Sequence, residues 1–118
     1  MPQPKMNRPN EVSVCEWYDA AECEPKAGAK LGVALSTIGE LPINGLRLLE
    51  RGETNGWYIW CGSEMSKSTD FFAPLHVEHV ADYLPLVRNY LSLPPGYRFQ
   101  IDDAGYEDVW FDENLLNA

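Results

Sequence analysis

Histidine, lysine and arginine are scarce in this chain of 118 residues, which has two histidines and nine basic residues against 18 acidic ones. The formal charge of −9 repels phosphate backbones and anionic membrane surfaces. We therefore expect neither a nucleic acid nor a membrane as a direct partner. A basic protein is the kind of partner that such a charge attracts.

Cysteine is also rare, and its spacing matters more than its number. The three cysteines are an odd count without a C-x-x-C pair, which argues against a disulfide framework and a zinc knuckle and favours reduced thiols. No run of 18 apolar residues occurs, and the N-terminus MPQPKMNRPNEV lacks the apolar segment of a secretion signal. These absences predict a cytoplasmic protein without a membrane span.

Motifs for phosphate binding and nucleophilic catalysis are missing as well. The chain contains neither G-x-x-x-x-G-K-[ST], G-x-G-x-x-G nor G-x-S-x-G. Cys61-Gly62-Ser63-Glu64 is the nearest candidate for a nucleophile, but a cysteine that ends an apolar strand is more often a core residue. We predict a non-enzymatic protein with no catalytic residue, metal or cofactor.

What the chain does contain is enough apolar sequence for one core. Apolar residues make up 45% of it, an ordinary globular composition at a length typical of one domain. Residues 1–11 include three prolines and almost no bulky apolar side chain, so we predict a flexible N-terminal segment there. Residues 12–118 are predicted to form a single domain.

Local patterns predict one N-terminal helix and five strands. Ser13-Val14-Cys15-Glu16 has the form of a capping box, and the apolar spacing after it predicts a helix over about 13–23. Alternating or continuous apolar runs predict strands, with a turn at 42–45, and the strands cover 31–35, 46–49, 57–61, 98–102 and 108–111. The order of elements indicates an α+β domain with a mostly antiparallel sheet of about five strands.

A central helical region is predicted between the third and fourth of these strands. Apolar residues at helical spacing predict a helix that begins after Pro74 and is ended or kinked by Pro85. The apolar positions are Leu75, Val77, Val80, Ala81 and Leu84. A second short helical stretch, 86–91, ends before Pro94-Pro95-Gly96.

The only two histidines, His76 and His79, lie in this predicted helix. At about 100° per residue they share a face with Tyr83, whereas Glu78 and Asp82 project elsewhere. A zinc site needs three or four convergent ligands, and the spacing departs from helical zinc motifs. We predict no metal site. A small metal-dependent or hydrolytic enzyme that uses His76 and His79 stays an alternative, since another element could complete the ligand set.

Carboxylates are concentrated at the C-terminal end, where six follow Arg98 without any lysine or arginine. A strand here would place acidic and aromatic residues on one face: Tyr106, Asp108, Trp110 and Asp112. Aromatic contact area beside charge is common at protein interfaces. We predict that a protein partner binds at Asp102, Asp103, Glu107, Asp108, Trp110 and Asp112. The alternative is a solvated face that only aids solubility.

Six segments carry a family resemblance: KLGVAL (30–35), PINGLR (42–47), GWYIW (56–60), DFFAPLHVEH (70–79), LPPGYRF (93–99) and YEDVWFD (106–112). Together they resemble the immunity protein 33-like domain, a bacterial family grouped with polymorphic-toxin immunity proteins. The resemblance covers about residues 13–113. It implies a small acidic cytoplasmic domain that binds a cognate toxin and blocks its active site or substrate groove, and it carries over no catalytic residue. A housekeeping adaptor with an unrelated protein partner is the remaining alternative.

Overall fold

A computed structural model of the protein describes residues 8–62 and 71–117. The strands are β1 (Lys30–Val33), β2 (Ile43–Arg47), β3 (Thr54–Cys61), β4 (Ala73–His76), β5 (Tyr97–Ile101) and β6 (Glu107–Phe111). Two short α-helices are α1 (Val14–Trp17) and α2 (Val80–Tyr83). Further 3₁₀ segments cover Leu35–Thr37, Val77–His79, Pro85–Tyr90 and Glu113–Asn117.

The strands form one sheet in the order β4-β1-β3-β2-β5-β6. β1 and β3 run parallel, and the other neighbouring pairs are antiparallel. The predicted α+β class is confirmed, with a sheet that is mixed rather than purely antiparallel. The prediction of about five strands missed β4.

The N-terminal helix is much shorter than predicted. Its cap is confirmed, because the Ser13 hydroxyl accepts a hydrogen bond from the Glu16 amide at 3.1 Å. The helix nevertheless ends at Trp17, and Asp19 adopts a positive φ of 56°. The chain then leaves the helical path, so that the Cys23 amide reaches the Ser92 carbonyl at 2.7 Å. A long-range contact therefore overrides the helical pattern that predicted 13–23.

The turn predicted at 42–45 is wrong, because Ile43, Asn44 and Gly45 already belong to β2. Gly45 pairs with Phe99 of β5, and the Phe99 ring occupies the space where a Cβ at residue 45 would lie. The glycine therefore allows a close approach between a backbone and an aromatic ring. Glycine beside proline and asparagine resembles turn chemistry in the sequence, which explains the error.

The helix predicted to begin after Pro74 is also wrong at its start. Residues Ala73–His76 form β4, which pairs antiparallel with β1, placing Leu75 opposite Leu31. The helical region begins only with the 3₁₀ turn at Val77–His79. Leu75 and Val77 are two residues apart, a spacing that suits a strand, whereas helical spacing begins only with Val77, Val80 and Ala81. The expected break at Pro85 is present, where α2 gives way to a 3₁₀ segment.

Each face of the sheet contributes to a separate apolar cluster. The larger cluster joins one face to α1, α2 and the 3₁₀ segment that follows, and its fully buried members include Leu31, Val33, Trp57, Ile59, Val87, Leu93 and Phe99. The smaller cluster lies on the opposite face and contains Ala34, Leu46, Trp60 and Leu115. β3 supplies both clusters, as its apolar character on both faces predicts.

Arg47 at the end of β2 is fully buried in the larger cluster, with 0% of its surface exposed. Its guanidinium donates to the carbonyls of Cys23 (2.7 Å), Asn55 (3.0 Å) and Leu93 (2.8 Å). The guanidinium carbon also lies 5.7 Å from the centre of the Trp57 ring. Burial lowers the pKa of Arg47. One side chain therefore joins two segments that are distant in sequence, those of Cys23 and Leu93, to the sheet, and it also binds the neighbouring strand β3 through Asn55.

We expect Arg47→Met to lower the free energy of unfolding by about 3 kcal/mol or more. Methionine fills a similar volume but donates no hydrogen bond, so buried carbonyls lose their partner. Arg88 is exposed, and Arg88→Ala should change stability by less than about 0.5 kcal/mol. Urea unfolding followed by tryptophan fluorescence measures both. Equal stability of the two variants would contradict a structural role for the buried guanidinium.

Candidate functional site

The predicted partner-binding residues lie on the β5–β6 hairpin and its ends. Asp102 shapes the turn, because its carboxylate accepts hydrogen bonds from the amides of Ala104 (2.8 Å) and Tyr106 (2.9 Å). Asp103 is exposed in the same turn. One of these carboxylates therefore holds the turn in shape, and the other extends into solvent.

Beyond the turn, alternation along β6 separates the remaining residues onto two faces. Asp108 and Trp110 lie opposite Gln100 and Arg98 of β5, on the face of the smaller apolar cluster. Glu107 pairs with Ile101 and faces the larger cluster. The structure thus places Asp108 and Trp110 together and Glu107 apart from them.

The Asp108 face combines negative charge with exposed aromatic surface. Trp110 is 39% exposed, and the Arg98 guanidinium carbon lies 5.7 Å from its ring centre. Arg98 also forms an ion pair with Asp112 at 3.3 Å. The Tyr106 hydroxyl donates to the Gln100 side chain at 3.1 Å. We call this set the acidic-aromatic face; it consists of Asp102, Asp103, Tyr106, Asp108, Trp110 and Asp112.

Glu107, on the other face, accepts hydrogen bonds from three side chains. The hydroxyls of Tyr90 and Tyr18 donate to its two carboxylate oxygens at 2.5 Å and 3.0 Å. The Arg8 guanidinium adds contacts of 3.1 Å and 3.2 Å to the same carboxylate. The side chains of Arg8 and Glu107 are each only 15% exposed. Glu107 is therefore the centre of a partly buried polar cluster.

Electrostatics within this cluster favour the ionised carboxylate. Burial raises the pKa of Glu107, but hydrogen bonds from Tyr90, Arg8 and Tyr18 outweigh burial and leave its pKa below the ordinary value. Burial and the adjacent carboxylate raise the pKa of both tyrosines, so the hydroxyls stay protonated and donate. Burial lowers the pKa of Arg8, but Glu107 more than compensates and raises it.

Sequence reasoning missed this cluster although it named Glu107. Arg8, Tyr18 and Tyr90 are 99, 89 and 17 residues from Glu107 along the chain. No local spacing relates four such positions, and Arg8 fell within the segment predicted to be flexible. Residues 1–7 of that segment lie outside the described residues.

The two histidines do not lie on one helical face as predicted, because His76 ends β4. Their ring centres are nevertheless 6.3 Å apart. His76 Nδ1 lies 3.3 Å from the Gly28 carbonyl oxygen, whereas Glu78 accepts from the Gly28 amide at 2.7 Å. His79 Nδ1 is 3.5 Å from Asp82. Within residues 8–62 and 71–117, no group of three or more histidine, cysteine or acidic side chains is arranged to hold a metal.

The remaining candidate, Cys61, is a buried residue at the end of β3. Burial raises the pKa of its thiol, which disfavours the nucleophilic thiolate. Ser63 and Glu64 of this candidate lie outside the described residues. All three cysteines of the chain are free.

In the part of the chain that the structure describes, no helix is long and apolar enough to cross a membrane. The described domain is instead a small acidic α+β unit whose exposed C-terminal hairpin combines carboxylates with aromatic rings.

A family model described as an Imm33-like domain matches residues 10–112, and the chain belongs to this family. The resemblance carried by the six sequence segments is thereby confirmed. No curated protein and no solved structure matches the chain.

The lowered pKa of Glu107 predicts that the free energy of unfolding depends on pH. Because its pKa is lowered in the folded state, ionised Glu107 stabilises the fold above its ordinary pKa of 4.5, and this contribution is lost as the pH falls through the lower folded value. We expect Glu107→Gln to cost about 1–2 kcal/mol at pH 7. The cost should shrink steadily below about pH 4.5.

Urea unfolding at pH 7, 5, 4 and 3 measures this difference. Glu24→Gln is the matched control, since Glu24 is exposed and the substitution makes the same change of charge. A gap between wild type and Glu107→Gln that stays constant down to pH 3 would show that ionisation of Glu107 is not what stabilises the cluster.

Proposed function

We propose that this protein is a non-enzymatic immunity protein that binds and neutralises a cognate toxin in the cytoplasm. The contact surface is the acidic-aromatic face and, around the edge strand β6, Glu107 on the opposite face of the sheet. It therefore includes Asp102, Asp103, Glu107, Asp108, Trp110 and Asp112. Membership of the Imm33-like family supports the immunity role.

The main support for the acidic-aromatic face as the contact surface is the exposed Trp110 with carboxylates beside it. Tryptophan is enriched among residues that dominate binding energy, because its large ring gives much contact area at little cost in conformational entropy. The cation–π contact with Arg98 limits the orientations of the Trp110 ring before a partner arrives. A preoriented ring loses less entropy on binding, which favours affinity.

The charge of the surface supports a basic partner. A net charge of −9, with no lysine or arginine after Arg98, gives a field that draws a positively charged protein toward the hairpin. Such steering accelerates association and weakens as salt increases. A toxin with a basic groove for a polyanionic substrate fits this field, and an acidic surface bound in that groove would exclude the substrate.

The test uses the reading frame immediately upstream of the gene. We expect its product to arrest bacterial growth when produced alone and to be harmless when produced with this protein. A purified complex should form, with an affinity that falls between low and high salt. A neighbouring product that does not arrest growth, or that this protein does not bind, would contradict the proposal.

The surface itself is tested by combining Asp108→Asn with Trp110→Ala. We expect the dissociation constant for the toxin to rise about tenfold or more, because the variant removes the central aromatic contact and one charge. Glu53→Gln is the matched control, since Glu53 is exposed beside the start of β3, away from the hairpin. Unchanged protection by the double variant would place the contact surface elsewhere.

A further inference from the structure

The Glu107 cluster binds the guanidinium of Arg8, and an arginine side chain of a partner protein could bind in the same place. Arg8 Nε lies 3.2 Å and 3.4 Å from the two carboxylate oxygens of Glu107, and Nη2 lies 3.1 Å from Oε1. Both of these nitrogens of the planar guanidinium therefore face the carboxylate, with their shorter contacts to Oε1 and a longer contact from Nε to Oε2, so the carboxylate is held by more than one donor of the same group. A lysine ammonium cannot reproduce this arrangement, because it is a point charge on a flexible stem.

The rest of the cluster prepares Glu107 for a guanidinium. Hydroxyl donors from Tyr18 and Tyr90 hold both carboxylate oxygens in place, and Tyr90 also stacks on Phe99 with ring centres 5.0 Å apart. Tyr90 and Phe99 belong to the buried core. We call Tyr18, Tyr90 and Glu107 the guanidinium cradle, and its three members lie on α1's C-terminal side, the central 3₁₀ segment and β6.

Arg8 lies before α1, outside the helices and strands that hold the cradle, and its side chain makes the contacts with Glu107. Its Nη1 donates to the Val12 carbonyl at 2.7 Å, across a local turn in which the Val12 amide donates to Pro9. These contacts lie within five residues of the chain before α1. Among the described residues, the contacts of Arg8 outside the cradle are therefore local.

We propose that the guanidinium cradle is an arginine-binding site, which Arg8 fills in the free protein and an arginine of the toxin fills in the complex. This inference rests on the proposed function for the identity of the partner. Exchange of one arginine for another keeps Glu107 paired throughout, so the complex avoids leaving a partly buried carboxylate without a counter-charge. Arg8 then acts as a tethered competitor that raises the apparent dissociation constant of the partner.

The size of this competition follows from the tether. A short flexible segment presents its end group at an effective concentration in the millimolar range. A single arginine derivative also binds one site only weakly, with a dissociation constant on the order of 1 mM. Because Arg8 fills the cradle in the free protein, its effective concentration exceeds this dissociation constant, by about twofold or more. Removing Arg8 should therefore strengthen binding of the free group about threefold or more.

The experiment titrates N-acetyl-arginine amide into wild type and Arg8→Ala, with the ring signals of Tyr18 and Tyr90 followed by NMR in protein that carries labelled tyrosine. We expect Arg8→Ala to bind at least about threefold more tightly than wild type. N-acetyl-lysine amide should bind Arg8→Ala more weakly than the arginine derivative does. The combination of Arg8→Ala with Glu107→Gln should lose binding at both tyrosines.

Lys26→Ala is the matched control, because it removes one positive charge from an exposed pair with Glu50. It should bind the arginine derivative as wild type does. Equal binding by wild type and Arg8→Ala, no preference over lysine, or binding that survives Glu107→Gln would each overturn the proposal. If Arg8→Ala is poorly folded, Arg8→Gln keeps the stem of the side chain and gives the same comparison.

The test separates this inference from the proposed function. Arginine binding in Arg8→Ala without a toxin beside the gene would support the cradle and contradict the immunity role. Neutralisation of a toxin without arginine binding would support the immunity role and contradict the cradle.

Discussion

The fold depends on the guanidinium of Arg47, which is buried in the core. Arg47 binds the carbonyls of Cys23 and Leu93 on the helical side while its own carbonyl accepts the Gly96 amide at 2.8 Å. Gly96 in turn accepts from the Asp112 amide at 2.7 Å. The same residue thus anchors the irregular connections of the helical layer and the start of the hairpin. A hydrophobic side chain could fill the space but could not satisfy these carbonyls, which is why a charged residue occupies the core.

The hairpin that Arg47 helps to position has two chemically different sides. β6 is at the edge of the sheet, so neither of its faces is covered as fully as those of β3. On one side, Asp108 and Trp110 offer charge and aromatic area to a partner. On the other, Glu107 is held between tyrosines and an arginine. A one-residue shift in register would exchange these sides, so the pairing of β5 with β6 determines which carboxylate is presented and which is partly buried.

Several elements could be predicted because their signals are local. Ser13 caps α1 as its position before Glu16 predicts, and the apolar run at 57–61 forms an interior strand. The errors arose where a local signal had two meanings. Gly45 resembled a turn residue but makes room for Phe99, and Pro74 resembled a helix start but lies within β4. In both cases pairing with a distant strand decided between the meanings.

By itself the sequence determined the charge, the α+β class, the family resemblance and the acidic-aromatic composition of the C-terminal hairpin, because these follow from residue type and short-range spacing. Only the tertiary structure decided that Arg8 and Tyr18 meet Glu107, and that Arg47 serves three backbone segments. Apart from the contact of Arg47 with Asn55, these contacts join residues that are tens of positions apart. They form when strand pairing and burial bring distant segments together. A polar group that is buried in this way loses its bonds to water, and its burial is unfavourable unless it forms a hydrogen bond within the protein.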